Sequence, residues 1–150
     1  SYDPIQTVML SYKNNNNINI EAGLNLHKDI SFFMNQNIKF NELSHDCWVL
    51  NMSSEYTNNN IDIDKNTLEK YAQSIFEKTF DIKNEISFIK SHRWLYAQTK
   101  VSYNTISKKN WINSKDNKIF LSGDWVLGKS LSHAWDAGEK LSHYIKILSV

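Results

Sequence analysis

Apolar and polar positions alternate through the first third of the chain and then change period. Residues 5–12 (IQTVMLSY) are rich in β-formers and predict a strand, followed by a turn at the asparagine run 14–17, since asparagine tolerates left-handed backbone. Residues 18–27 and 30–34 read as the next strands, with Lys28-Asp29 as the hairpin turn between them. Residues 35–41 are polar and predict a bend or short strand. Residues 47–53 (CWVLNMS) predict a further strand, which ends in the polar run 54–60. At 66–80 the spacing becomes helical: Leu68, Tyr71, Ala72, Ile75, Phe76 and Phe80 form one stripe. Asn66 and Glu69 have the spacing of a capping box, and the helix is most simply a cover on one face of the sheet.

Residues 85–98 return to β character. A polar stretch at 102–117 predicts a surface loop carrying Trp111, and the strand 118–122 (KIFLS) ends at Gly123-Asp124-Trp125. A second helix is predicted over 130–148, with Leu131, Ala134, Trp135, Gly138, Leu141, Ile145 and Leu148 on one face. Gly138 inside that helix costs about 1 kcal/mol against alanine. Such a glycine is tolerated most easily where another backbone or a flat ligand comes close. Strands, helix, strands, helix is the order of an α+β fold, a mostly antiparallel sheet covered by a helix.

Composition narrows the function classes. One hundred and fifty residues make one domain or a domain plus part of another, and 41% apolar content supports a core. The net charge is +1, Arg93 is the sole arginine, and no concentrated basic face is visible, which argues against a nucleic-acid partner. No apolar run reaches the length of a membrane span, and no secretory leader opens the chain. Cys47 stands alone, so a disulfide framework within the chain is excluded and a reducing, cytoplasmic location fits. The first residue is Ser1, as in a processed or truncated product. Gly23, Gly123, Gly128 and Gly138 are the only glycines. GxGxxG cannot be assembled from them, so no dinucleotide fingerprint is expected within these residues.

Two clusters carry candidate chemistry. One is 91–97 (SHRWLYA), and the other runs from Phe120 through Gly123-Asp124-Trp125 into the helix that ends its first half at Gly138. A carboxylate at the C-terminal end of a strand can accept hydrogen bonds from ribityl hydroxyls, and the free N–H groups opening a helix favour an anion or a polarised carbonyl. Together HRWLYA and FLSGDWVLGKSLSHAWDAG resemble the C-terminal part of renalase-like FAD-dependent oxidoreductases, in the wider flavin amine oxidase superfamily. The specific match covers residues 91–98 and 119–139. Three departures stand in it: Lys129-Ser130 in place of Gly-Arg, Ser132 where an acidic residue is common, and Leu95 in place of a second arginine.

The resemblance implies a substrate-binding domain over 1–117 and the last strand and helix of an FAD-binding domain over 118–150. It implies that Asp124 binds the ribityl chain, Gly123 admits the cofactor, Trp125 packs beside it, and the helix opening at Leu131 and Ser132 faces the flavin pyrimidine. Arg93 and Trp94 match a motif at the junction of the substrate sheet and the flavin site. The implied chemistry is hydride transfer from an amine or dihydronicotinamide-like small-molecule substrate to flavin. The implied partner is an N-terminal Rossmann segment, without which this chain would not hold FAD tightly. Strand 118–122 would then expose an unpaired edge beside Trp135 and Leu141 and favour self-association.

The residues also admit plainer readings. Asp124 after glycine suits a turn, and Arg93 suits a pair with a buried carboxylate. Trp48, Trp94, Trp111 and Trp135 each suit a core, as does the Cys47 thiol, while Glu139 and His143 form a solvated i, i+4 pair. The histidines have no metal-ligand spacing, and no residue stands out as a general base. The alternative function is a non-catalytic, aromatic-lined binding module, or a self-associating domain without FAD.

Overall fold

The computed structural model of the protein describes residues 1–40 and 44–148. The fold is α+β. Its sheet has five strands, β1 (Tyr2–Tyr12), β2 (Ala22–His27), β3 (Ile30–Asn35), β4 (Asp46–Met52) and β5 (Ile86–Thr99), in the order β2-β3-β4-β1-β5. The pairs β2/β3, β3/β4 and β1/β4 are antiparallel. So is β1/β5, because Lys13 N donates to Glu85 O at one end and Lys100 N to Ser1 O at the other. The hairpin turns at Lys28 and Asp29, and Asn17 adopts a left-handed φ of 54° in the asparagine run. Residues 18–21 lie outside β2, shortening the predicted strand. Of the predicted bend at 35–41, Asn41 lies outside the described residues.

Strand alternation sends Val8, Leu10 and Tyr12 of β1, and Trp48, Leu50 and Met52 of β4, to one face. There they meet Leu68, Ala72 and Phe76 of α2 (Lys65–Phe80), the cover that the helical stripe predicts. Trp48 lies against Phe76 with ring centroids 5.1 Å apart, and against Phe33 at 6.2 Å. Full burial of a side chain such as Phe76 contributes about 1.5–3 kcal/mol. The capping box is not at Asn66. Asp64 is the N-cap, its Oδ2 accepting from Thr67 N at 3.0 Å. Glu69 instead accepts from Ser91 N at 2.7 Å and Ser91 Oγ at 2.8 Å, tying α2 to β5. The polar run after β4 is a helix, α1 (Ser54–Asn59), started by Ser53 Oγ accepting from Tyr56 N. On the opposite face of the sheet Met9, Val49 and Met34 lie side by side in register, all half-buried.

The chain forms two compact units, residues 3–97 and residues 1–2 with 98 onward; the sequence reading divides it at 117 instead. The second unit holds α3 (Tyr103–Ser107), β6 (Ile112–Asn113), β7 (Phe120–Leu121), α4 (Asp124–Leu127) and α5 (Leu131–Leu148). Residues 102–117 are therefore more than a surface loop. The strand predicted over 118–122 shrinks to two residues and pairs with β6, so one of its edges is occupied. Trp111 and Phe120 pack on Tyr144 of α5, with ring centroids at 4.5 and 6.0 Å. Val126 and Ala137 are the only fully buried apolar side chains of this unit among the described residues. Of the apolar stripe on α5, Leu131 is 88% and Trp135 76% exposed, while Ala134 and Leu141 are half-buried. Among the described residues no helix is long and apolar enough to cross a membrane.

Candidate functional site

In the second unit the order strand, Gly-Asp, helix is built as follows. β7 ends at Leu121, and α4 begins at Asp124. Asp124 is exposed. Its Oδ1 accepts from Trp125 N at 2.8 Å, a short-range turn bond, and Oδ2 has no partner among the described residues. Gly123 has extended backbone, and a Cβ built on it would lie 2.7 Å from Trp125 Nε1. The folded-back indole of Trp125 therefore accounts for this glycine, with Tyr103 edge-on to the same indole at 5.8 Å. The segment between Asp124 and the long helix is a helical turn rather than a free loop, closed by Gly128 N donating to Asp124 O at 2.9 Å.

The opening of α5 is organised by His133, which the sequence reading weighed only as a metal ligand. Its Nδ1 accepts from Lys129 N at 3.2 Å and lies 2.8 Å from Ser130 Oγ, which in turn accepts from His133 N at 3.4 Å. A Cβ at Gly128 would sit 2.2 Å from His133 Nδ1, so the ring packs where only glycine leaves room. The signal in the sequence is Gly128 followed by Ser130-x-x-His133, a cap residue and its partner one turn on. Leu131 and Ser132 are both exposed, and Ser132 Oγ lies 2.7 Å from Ser130 Oγ.

In the first unit Arg93 and Trp94 are neighbours on β5, so their side chains leave opposite faces of the strand. They do not form one wall. Arg93 Nη1 donates to Ile61 O and to Asp62 Oδ1, the latter at 3.2 Å. The Asp62 side chain is 91% exposed, so the arginine's carboxylate partner is a surface one, not a buried one. Trp94 is half-exposed, with its ring 4.3 Å from that of His92. Of the tryptophans expected in a core, Trp48 is buried and Trp111 half-buried; Trp94 and Trp135 face outward. Cys47 is half-buried, with Sγ 3.6 Å from Ser11 Oγ, rather than a sealed core thiol.

The other polar constellation of this unit is Tyr56, Tyr71, Asp29 and His27. Tyr71 donates to Asp29 Oδ2 at 2.6 Å and stacks on Tyr56 at 5.3 Å; His27 Nδ1 lies 3.5 Å from the same carboxylate oxygen. The bond to Asp29, with burial behind it, pushes the Tyr71 phenol up to about 12. The arrangement locks the β2–β3 hairpin to α2. Among the described residues no group of three or more His, Cys, Asp or Glu side chains could hold a metal ion.

Against the requirements of FAD, the described residues fit one end of the cofactor. Asp124 has one carboxylate oxygen without a partner among the described residues, which could accept from ribityl hydroxyls, and Leu131 and Ser132 are exposed at the start of an 18-residue helix. No protein-family model matches the chain.

Proposed function

We propose that the chain is the substrate-domain and C-terminal portion of a renalase-like, FAD-dependent oxidoreductase. The observation that carries this reading is the state of the second unit. It has the strand, Gly-Asp, helix order of a flavin-binding C-terminus, yet fully buries only Val126 and Ala137 among its described apolar residues while leaving Leu131 and Trp135 in solvent. So thin a core is what remains when a larger domain is divided. No GxGxxG turn can be assembled from the four glycines, so the dinucleotide-binding segment would come from outside these 150 residues.

Bound flavin would supply the acceptor for a hydride from an amine or dihydronicotinamide-like substrate. Asp124 would hold the ribityl chain through its free Oδ2. The amides of Leu131 and Ser132 would stabilise negative charge developing on the pyrimidine end.

The test is FAD titration of the protein with its glycine-rich segment, wild type against Asp124→Ala, followed by flavin fluorescence. A charge-assisted hydrogen bond is worth about 1.5–3 kcal/mol, so affinity falls roughly tenfold to a hundredfold. An Asp124→Ala protein that holds FAD as tightly as wild type refutes the assignment. Stoichiometric FAD retained by the 150 residues alone refutes the need for the added segment.

A further inference from the structure

An unexplained polar feature lies on the α2 side of the sheet. A cavity of about 440 Å³ opens at the N-terminus of α2, within the size range of small-molecule sites. Gln6 lines it, projecting from β1 on the same side as Val8, Leu10 and Tyr12. Gln6 is 2% exposed. Its Nε2 donates to Asn60 O at 3.0 Å, but its Oε1 is a buried acceptor with no hydrogen-bond partner. Buried acceptors are rarely left so, because desolvation is not repaid. The cavity therefore calls for a donor.

Its other walls are charged in a balanced way. Arg93 spends only Nη1 on Ile61 O and Asp62, leaving Nη2 and Nε without partners among the described residues. Lys65 is the first residue of α2, and the Asp64 carboxylate caps that helix at Thr67. Two cations, Arg93 and Lys65, thus face two carboxylates, Asp62 and Asp64. A lone anion or a lone cation would meet as much repulsion as attraction. A ligand carrying both charges would not. Ile61, Ile63 and Leu68 also line the cavity and supply its apolar wall.

We propose that this cavity binds a free aliphatic α-amino acid. The carboxylate is held by the spare donors of Arg93 and the first amides of α2. The ammonium group donates to Gln6 Oε1 and Asp62. The aliphatic side chain rests on Ile61, Ile63 and Leu68. The site lies wholly within the first unit and uses no flavin, so its fate and that of the oxidoreductase reading are separate.

The probes are L-leucine, L-leucinamide, which lacks the carboxylate, and 4-methylpentanoate, which lacks the ammonium. Each is titrated into the 150-residue chain by calorimetry and followed by amide chemical shifts. L-leucine is expected to bind saturably, to shift Gln6, Lys65 and Arg93, and to bind at least about tenfold more tightly than either analogue. Gln6→Leu and Lys65→Glu should each weaken it by about tenfold or more; Lys65→Glu leaves the Arg93–Ile61 strut in place and covers the case in which Gln6→Leu unfolds. Absence of saturable L-leucine binding up to about 10 mM would mean that ordered water alone serves Gln6, and would overturn the proposal. Equal binding of the three probes, or shifts confined to residues away from the cavity, would overturn it as well.

Discussion

Gly138 offers the sharpest division between this chain alone and the flavoprotein it is proposed to belong to. It sits inside α5, and a β carbon built there meets no atom within 4 Å. In the 150-residue chain, Gly138→Ala therefore has only its effect on backbone entropy and helix propensity, a gain of about 1 kcal/mol. For a unit of this size that raises the melting temperature by roughly 4–8 °C. The rise is measurable by thermal circular dichroism of the two variants at equal concentration. In an intact flavoprotein whose remaining segment packs on this helix face, the same methyl group is overpacked at a cost of about 1–3 kcal/mol. The sign should reverse between the two settings. A lower melting temperature for Gly138→Ala in the 150-residue chain would refute the open face at this position. Equal stabilisation in both settings would show that nothing closes on Gly138, and the argument for a covering segment would lose its support.

The remaining expectations concern the first unit. Asp46 is 5% exposed and accepts from Asn16 N, Asn16 Nδ2, Asn35 Nδ2 and the buried Trp48 Nε1, at 2.8–3.1 Å. Asp46→Ala leaves those donors unpaired and should cost about 3 kcal/mol or more in urea unfolding, a loss under about 1 kcal/mol counting against the network. For Tyr71 the folded phenol is raised above the ordinary 10.0 to about 12, so its contribution is fully present below pH 10.0 and is lost as pH rises through about 12. Absorbance titration at alkaline pH should show a late tyrosine step that Tyr71→Phe removes; a normal step from Tyr71 near 10.0 would contradict the Asp29 bond.

What the sequence disclosed follows from the range of the interactions involved. The sheet and α2 were legible because their burial obeys a single period, two for β1 and β4, and the helical one for Leu68, Ala72 and Phe76. Their ends were less so. The choice of Asp64 over Asn66 as N-cap depends on which side chain reaches Thr67 N, while Glu69, three residues beyond Asn66, is drawn away by Ser91, which is 22 residues distant in sequence. α1 escaped notice because SEYTNN has no apolar stripe; it holds by the Ser53 cap and one buried side chain, Thr57. At the candidate site, spacing located Gly123 and Asp124 but could not say that the Trp125 indole occupies the space beside Gly123, nor that His133 fills the space beside Gly128. Adjacent positions in HRWLYA read as one motif, whereas a strand sends Arg93 and Trp94 to opposite faces.

The helix α5 shows how a correct period can point at the wrong neighbour. Its packed side is marked by buried Ala137 with half-buried Leu141 and Tyr144, the last receiving Trp111 and Phe120. Its second apolar side carries Leu131, Trp135 and Ile145 around Gly138, and at 100° per residue the two sides are centred about a third of a turn apart. A surface helix needs only one such side, and one apolar on two sides is ordinarily buried on both. Of the stripe that the spacing selects, Leu131 and Trp135 are thus left open in this unit, while the side that packs is built from Ala137, Leu141 and Tyr144. Hydrophobic spacing reports how much of a helix is meant to leave water, not which partner covers it. For α5 the sequence offers more apolar surface than the second unit covers, and that excess is the ground on which the proposed flavoprotein reading sets a further segment against it.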